Sequence, residues 1–256
     1  MKKVLVTGAK GQLGQCLQKI APNYKELTFV FKNSKDLDIT NKDQMNSFFA
    51  EDDFDYCINC AAYTNVEQAE KTPDIAYEVN AKGVKNLALV CRENDTFLIH
   101  ISTDYVFDGE KKEPYTVDDI PNPINEYGKS KLLGEKYIEE IMKDYLIIRT
   151  SWLYSEFGKN FYTTILEKAK AGENLSVTDE QIGCPTNAIN LAKFVNQFIL
   201  LDNIKSNLYH FTDRIEMTWF EFAKEIIKIE NLTNKVIIHN DKSIYLALRP
   251  LNSRLD

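Results

Sequence analysis

The chain has 256 residues, 44% of them hydrophobic, with 38 acidic against 31 basic side chains and a formal net charge of −7. That is enough chain and apolar content for one large domain or two small ones. The acidic balance argues against a nucleic-acid binder, which needs a basic face for phosphates, so an anionic ligand must be held by local features.

The first element, "KKVLVTG" (2–8), reads as a strand, and its lysines and apolar run superficially imitate a signal peptide. The run ends at Val6, far short of the roughly 7–15 apolar residues of such a segment. No later stretch approaches the roughly 18 needed to span a membrane. A cytoplasmic location is expected. Gly8, Gly11 and Gly14 follow at G-x-x-G-x-x-G spacing before a helix. Glycines there allow a tight turn and let the backbone approach a pyrophosphate seated on the helix N-terminus, which points to a dinucleotide. The neighbouring Gln12 and Leu13 belong to the same cradle.

The second strand is "LTFVF" (27–31), and the tip after it reads Lys32, Asn33, Ser34, Lys35. An acid at this point binds the ribose hydroxyls of NAD, whereas a base accommodates a 2′-phosphate, so the tip favours NADPH, with NADH as a second option. "DYCINCAA" (55–62) supplies the third strand. Its Cys57 and Cys60 point to opposite faces if the run stays extended, so they read as buried thiols rather than a metal or redox pair. The three histidines, His100, His210 and His239, have no ligand spacing, and no metal is expected.

"TFLIHIST" (96–103) and "YLIIRTSW" (145–152) complete five nearly continuous apolar runs, as strands buried on both faces should be. Strand–helix–strand repetition predicts an α/β fold with a Rossmann-like doubly wound parallel sheet. Between those two runs a proline-bearing loop leads into "NEYGKSKLLGE" (125–135), where Tyr127 and Lys131 lie four apart on one face of a helix. After about residue 150 the rhythm changes. A helix ending at Gly172 and a strand are followed by two amphipathic helices, "NAINLAKFVNQFILL" and "TWFEFAKEIIKI", without a regular strand before each. This predicts a smaller mixed C-terminal lobe.

The glycine cradle, "ISTDYVFDG" at a strand end and "YGKSK" together resemble the extended short-chain dehydrogenase/reductase family, whose Ser/Thr and Tyr-x-x-x-Lys catalytic set is matched by Thr103, Tyr127 and Lys131. A phenol is a poor acid or base at neutral pH, and a neighbouring ammonium would bring it toward the working range. In this reading Lys131 also holds the nicotinamide ribose, Thr103 hydrogen-bonds a substrate carbonyl, and Tyr127 protonates its oxygen. "NCAAYTNVEQAE", "VNAKGVKNLA", "IIRTSWLY", "TDEQIGCPT" and "RPLNSRLD" narrow the resemblance to the dTDP-4-dehydrorhamnose reductase family. The implied reaction is NADPH-dependent reduction of the 4-keto group of dTDP-6-deoxy-L-lyxo-4-hexulose.

The resemblance further implies that Ala61, Ala62 and Tyr63 line the cofactor crevice, with Asp38 and Ile39 near the adenine. Asp104, Tyr105 and Trp152 would contact the sugar, and Arg249 and Asn252 the diphosphate or its surroundings. It divides the chain into a dinucleotide-binding domain, 1–150 plus about 186–212, and a substrate-binding lobe, about 151–185 and 213–256. Family chains continue past "RPxNSRL", where this sequence stops at Asp256. Some members also pair through magnesium at an acid in the first helix, and "GQLGQCLQKI" has none, so the metal is not carried over, while a homodimer stays open. A nucleotide-sugar dehydratase would need a second carboxylate after Asp104, where Tyr105 stands. A non-catalytic NADP-binding regulatory subunit, similar to that of methionine adenosyltransferase, stays open as the rival, although the full triad argues against it.

Overall fold

Five strands with apolar residues on both faces need cover on both sides, and this requirement sets the architecture. The computed structural model describes residues 1–201, 207–233, 236–241 and 246–256; the segments 202–206, 234–235 and 242–245 of the expected domains lie outside them. The strands are β1 (Lys2–Thr7), β2 (Leu27–Phe31), β3 (Tyr56–Asn59), β4 (Phe97–Thr103) and β5 (Tyr145–Thr150). With Leu208–Phe211 they form one six-stranded sheet in the order β2-β1-β3-β4-β5-(208–211), parallel throughout. The sixth strand, "LYHF", has no mark in the sequence comparable to the other five.

The connections carry α1 (Gln12–Ile20), α2 (Lys42–Glu51), α3 (Val66–Lys71), α4 (Pro73–Tyr77), a π-helical segment (Glu78–Gly83), α5 (Val84–Glu93) and α6 (Glu126–Ile141). Beyond β5 follow α7 (Phe161–Lys170), α8 (Ala188–Leu201) and α9 (Trp219–Ile229). Period-two alternation sorts the strand residues between two cores. Val4, Val6, Ile58, Ile99 and Ile148 face α1 and α8, while Leu5, Cys57, Leu98 and Ile147 face α2, α5 and α6. Each fully buried aliphatic side chain contributes about 1.5–3 kcal/mol, so the two cores outweigh any surface term. A third core joins Ile165 and Ala169 of α7 to Phe222, Ile226 and Ile227 of α9.

The two late helices are each preceded by a two-residue strand, Thr186–Asn187 and Met217–Thr218, pairing with Leu153–Tyr154 and Ile182–Gly183. The expected helix end at Gly172 falls two residues beyond Lys170, and Gly172 takes φ +74°. Among the described residues no helix is long and apolar enough to cross a membrane. Because β1 lies between β2 and β3, the winding reverses beside β1, and the strands' C-terminal ends open there into a crevice.

His210 sits in the edge strand with 7% exposure and donates from Nδ1 to Tyr115 O at 3.1 Å. Burial and the nearby Arg149 push its ring down to about 4. Between pH 6.5 and 4 the unfolded chain therefore takes up a proton that the folded chain refuses, and stability falls as pH is lowered through that window. Removing the ring removes this component: from pH 7 to pH 5 the wild type should lose about 1–2 kcal/mol more than His210→Gln in urea unfolding. Equal losses would contradict the assignment.

Candidate active site

The glycine turn after β1 is built as its spacing requires. Gly8 has φ +63°, and a Cβ there would lie 2.5 Å from Ala61 N. The turn closes with Gly11 N–H donating to Gly8 O at 2.9 Å, and α1 begins at Gln12 with no acid in its first turn. A cavity of about 560 Å³ runs from Gly8 and Gly11 past Asp38, Ile39 and Tyr63. A second, of about 490 Å³, holds Gln12, Leu13, Thr103, Tyr127, Lys131 and Trp152. Both are lined by Lys10, Gly11, Cys60 and Ala62, so they form one groove across the sheet's C-terminal edge. A cradle that a Cβ would fill, beside a long groove, fits a dinucleotide.

Two polar side chains shape the groove, one at its middle and one toward an end. Asn80, in the π-helical segment, accepts from Tyr63 N at 2.8 Å and donates to Tyr63 O at 2.9 Å and Ser130 Oγ at 3.0 Å. It thus ties the Ala61–Tyr63 loop to α6. At the other end Asp38 Oδ1 accepts from the Thr40 amide and hydroxyl, at 2.9 and 2.8 Å.

α6 starts where Asn125 caps it, its Oδ1 accepting from Gly128 N at 2.8 Å, which places Tyr127 in the first turn. The helix lies unusually close to its neighbours. A Cβ on Gly128 would meet Tyr105 O at 2.1 Å, and one on Gly134 would meet Asn80 O at 2.2 Å. That approach buries Lys131, whose Nζ donates to Ile101 O at 2.6 Å and lies 3.2 Å from His100 Nε2. One turn on, Glu135 accepts from Ser102 Oγ and takes Arg149 bidentately, with Nη2 to Oε2 at 2.7 Å. Thr103 Oγ1 accepts from Tyr105 N at 3.2 Å and donates to Asp104 Oδ1 at 3.0 Å.

Desolvation pushes acids up and bases down here. Burial raises Tyr127 to about 12, with the Thr103 hydroxyl acting the other way. It raises Asp104 to about 6 against the hydroxyls of Ser253 and Thr103, and lowers Lys131 to about 8 against the Glu135 carboxylate. Tyr127 is therefore held protonated at neutral pH, its shift running opposite to the lowering expected from the Lys131 ammonium.

The structure brings Thr103, Asp104, Tyr105, Tyr127, Lys131 and Trp152 to one cavity. Gly14 lies inside α1, packed on Ala9, away from the lining. Three further expectations differ. Lys32 Nζ sits over the Phe48 ring, 5.0 Å from its centroid, while Lys10, Lys35, Asn33 and Ser34 line the groove instead. Asn252 donates to Lys111 O at 2.5 Å and Glu113 O at 3.1 Å and accepts from Arg254 Nε at 2.9 Å, so its amide fastens the loop before α6 and lies outside the lining. Arg249 Nη2 pairs with Glu67 Oε1 at 3.1 Å, also outside the lining.

Sequence reasoning missed Trp219 and Lys159, which also line the cleft. Trp219 stacks on Trp152 with ring centroids 3.5 Å apart, and Trp152 itself takes φ +48°, a backbone state that bulky residues seldom adopt. A bulky residue held there signals a site whose surroundings over-determine it.

Three comparisons bear on this geometry. The family model described as RmlD substrate binding domain matches residues 1–256. A dTDP-4-dehydrorhamnose reductase of Aggregatibacter actinomycetemcomitans is 38% identical, over 100% of this chain and 91% of that protein. The spore coat polysaccharide biosynthesis protein SpsK of Bacillus subtilis is 38% identical over 93% of this chain and 82% of its own length. A crystal structure of dTDP-4-dehydrorhamnose reductase from Bacillus anthracis in complex with NADP superposes with a TM-score of 0.94 at 39% identity, covering 100% of this chain and 90% of that one.

Glu135 and Arg149 are 1% and 3% exposed, so losing one leaves the other charged and buried. Arg149→Met should lower unfolding free energy by about 3–5 kcal/mol in urea titration. A loss within the surface-pair range of about 0–1 kcal/mol would contradict the role given to this pair.

Proposed function

The chain belongs to the RmlD substrate-binding-domain family, and on that footing we infer that it is an NADPH-dependent reductase acting on the keto group of a dTDP-linked sugar. The observation that carries this reading is the meeting of Thr103, Tyr127 and Lys131 in one cavity, continuous with the glycine cradle. The substrate we assign is dTDP-6-deoxy-L-lyxo-4-hexulose, giving dTDP-L-rhamnose for polysaccharide synthesis.

NADPH would lie along the groove, its adenosine end between Asp38, Ile39 and the lysines at 10 and 35, its nicotinamide end at Tyr127. Lys10 and Lys35, rather than Lys32, would face the 2′-phosphate. When bound, NADPH supplies the hydride to the keto carbon. Tyr127 gives its phenolic proton to the keto oxygen, and the Thr103 hydroxyl orients that oxygen. Lys131 holds the ribose hydroxyls and, as an ammonium, stabilises the phenolate that Tyr127 becomes. The stacked Trp152 and Trp219 form a wall against which the sugar is oriented, with Asp104 and Tyr105 opposite. Residues about 151–185 and 213–256 make up the substrate-binding lobe in this reading.

The non-catalytic regulatory alternative is not favoured, since relatives matched over 99–100% of this chain, those of Aggregatibacter actinomycetemcomitans and Escherichia coli among them, are named reductases. We place the protein in the cytoplasm, where NADPH and nucleotide sugars are available. Sedimentation of the purified chain distinguishes a monomer from the homodimer carried in this reading.

Tyr127→Phe should lower kcat by about 10²–10⁴-fold, the range of a general acid, while NADPH binding stays within twofold of wild type. NADPH oxidation at 340 nm and quenching titrations read the two quantities. An unchanged kcat would remove Tyr127 from the proton-donor role.

A further inference from the structure

Beneath the catalytic residues lies a chain of hydrogen bonds that the reduction itself does not call for. Ala61 N donates to Asn59 Oδ1 at 3.1 Å, and Thr7 Oγ1 donates to the same oxygen at 2.7 Å. Asn59 Nδ2 faces His100 Nδ1 at 3.0 Å, and His100 Nε2 faces Lys131 Nζ at 3.2 Å. Thr7, Asn59, His100 and Lys131 are all 2% exposed or less. Thr7, Asn59 and His100 line neither cavity and Lys131 meets the groove on one side only, so the direction of each hydrogen bond among them is settled within the protein.

The directions follow from donor and acceptor inventories alone. A backbone N–H can only donate, so the atom of Asn59 facing Ala61 is the carbonyl oxygen, and the one facing His100 is the amide nitrogen. An amide nitrogen can only donate, so His100 Nδ1 must present its lone pair. A neutral imidazole carries one proton, which then resides on Nε2, pointing at Lys131. An ammonium has no lone pair to receive it, whereas an amine has one. Lys131 already gives one N–H to Ile101 O at 2.6 Å, in either protonation state. With Lys131 charged, two buried donors oppose each other; with Lys131 neutral, every polar atom in the chain is paired.

We propose that His100 is a positioning residue, locked by Asn59 as its Nε2–H tautomer, that aims a hydrogen-bond donor at Lys131 and biases this lysine toward the neutral amine. Among the described residues, the other titratable groups that act on Lys131 are Glu135 on its own helix and Cys60 after β3, while Tyr127 and Asp104 line the same cavity. Glu135 favours the ammonium, but its carboxylate is already engaged by Arg149 and Ser102. Burial already lowers Lys131 to about 8 against Glu135 and Cys60, and burial together with the Lys131 charge lowers His100, so the relay acts on a lysine that sits near its ionisation point. The consequence rests on the reading of Lys131 as the ribose-binding group: NADPH affinity weakens as pH rises through the Lys131 ionisation, and His100 sets where that happens.

The test uses two readouts, neither of which needs turnover. In ¹⁵N NMR of wild-type protein at pH 7.5, His100, identified by its absence in His100→Gln, should show Nδ1 unprotonated and Nε2 protonated. Asn59→Asp offers an acceptor to Nδ1 and should reverse the two. NADPH titrations across pH should show the His100→Gln limb displaced upward by about one unit or more, since a carbonyl can then face the ammonium. A wild-type proton on Nδ1, a doubly protonated ring, or an unmoved limb in His100→Gln would overturn the proposal. A protein that binds NADPH with the expected tautomer and shift, yet reduces no keto sugar, would keep this inference and lose the functional reading. Should the variants fail to fold, the wild-type tautomer decides alone, with the His100 ring then assigned through its bonded connection to the backbone in triple-resonance NMR.

Discussion

The site depends on how closely α6 lies against the turn after β4 and the π-helical segment. Two glycines make the approach sterically open: Gly128 passes the Tyr105 carbonyl and Gly134 passes that of Asn80 at distances that leave no room for a Cβ. Polar anchors hold the helix there, Lys131 on Ile101 O and Glu135 on Ser102 and Arg149. Any side chain at either glycine would push the helix outward, and a shift of about 1 Å at a reacting group is enough to cost two orders of magnitude in rate. The helix that carries Tyr127 is thus positioned by what it lacks as much as by what it binds.

That close packing also sets the electrostatics. Removing water raises Tyr127 and Asp104 and lowers Lys131, one physical cause with opposite effects on acids and bases. A phenol kept protonated and an amine kept near its ionisation point suit a reduction that ends by donating a proton. The sheet contributes the direction. Winding reverses beside β1, so the glycine turn, the loop after β3 and the end of β4 all open on the same edge. The Asn80 bridge in the π-helical segment then locks the loop after β3 to α6, an irregular helix placed where a function needs it.

Much of this was legible beforehand because a parallel sheet buried on both faces writes itself as continuous apolar runs, as in "FLIHIST" and "YLIIRT". The Tyr127–Lys131 spacing and the three glycines were equally plain, since each expresses a local rule. The edge strand Leu208–Phe211 was not, because a strand with one neighbour and a half-exposed face has no such run. Lys32 was misdirected because the side chain's choice between a groove and the Phe48 ring is tertiary. The amide of Asn252 and the Glu67 partner of Arg249 come from elements far away in sequence, as does Trp219, which packs on the third core and stacks on Trp152. His100 read as an unremarkable strand residue, and only the structure places it against Lys131.

The central claim is that hydride passes from a nicotinamide to the keto carbon of a dTDP-sugar held over Tyr127. The most direct measurement is mass spectrometry of the sugar formed from dTDP-6-deoxy-L-lyxo-4-hexulose with NADPH deuterated on the transferred position. The account predicts one deuterium, located on sugar C4, in product made by the wild type and its near absence with Tyr127→Phe over the same time. Product lacking deuterium at C4, or no product from wild-type protein that binds NADPH, would contradict it.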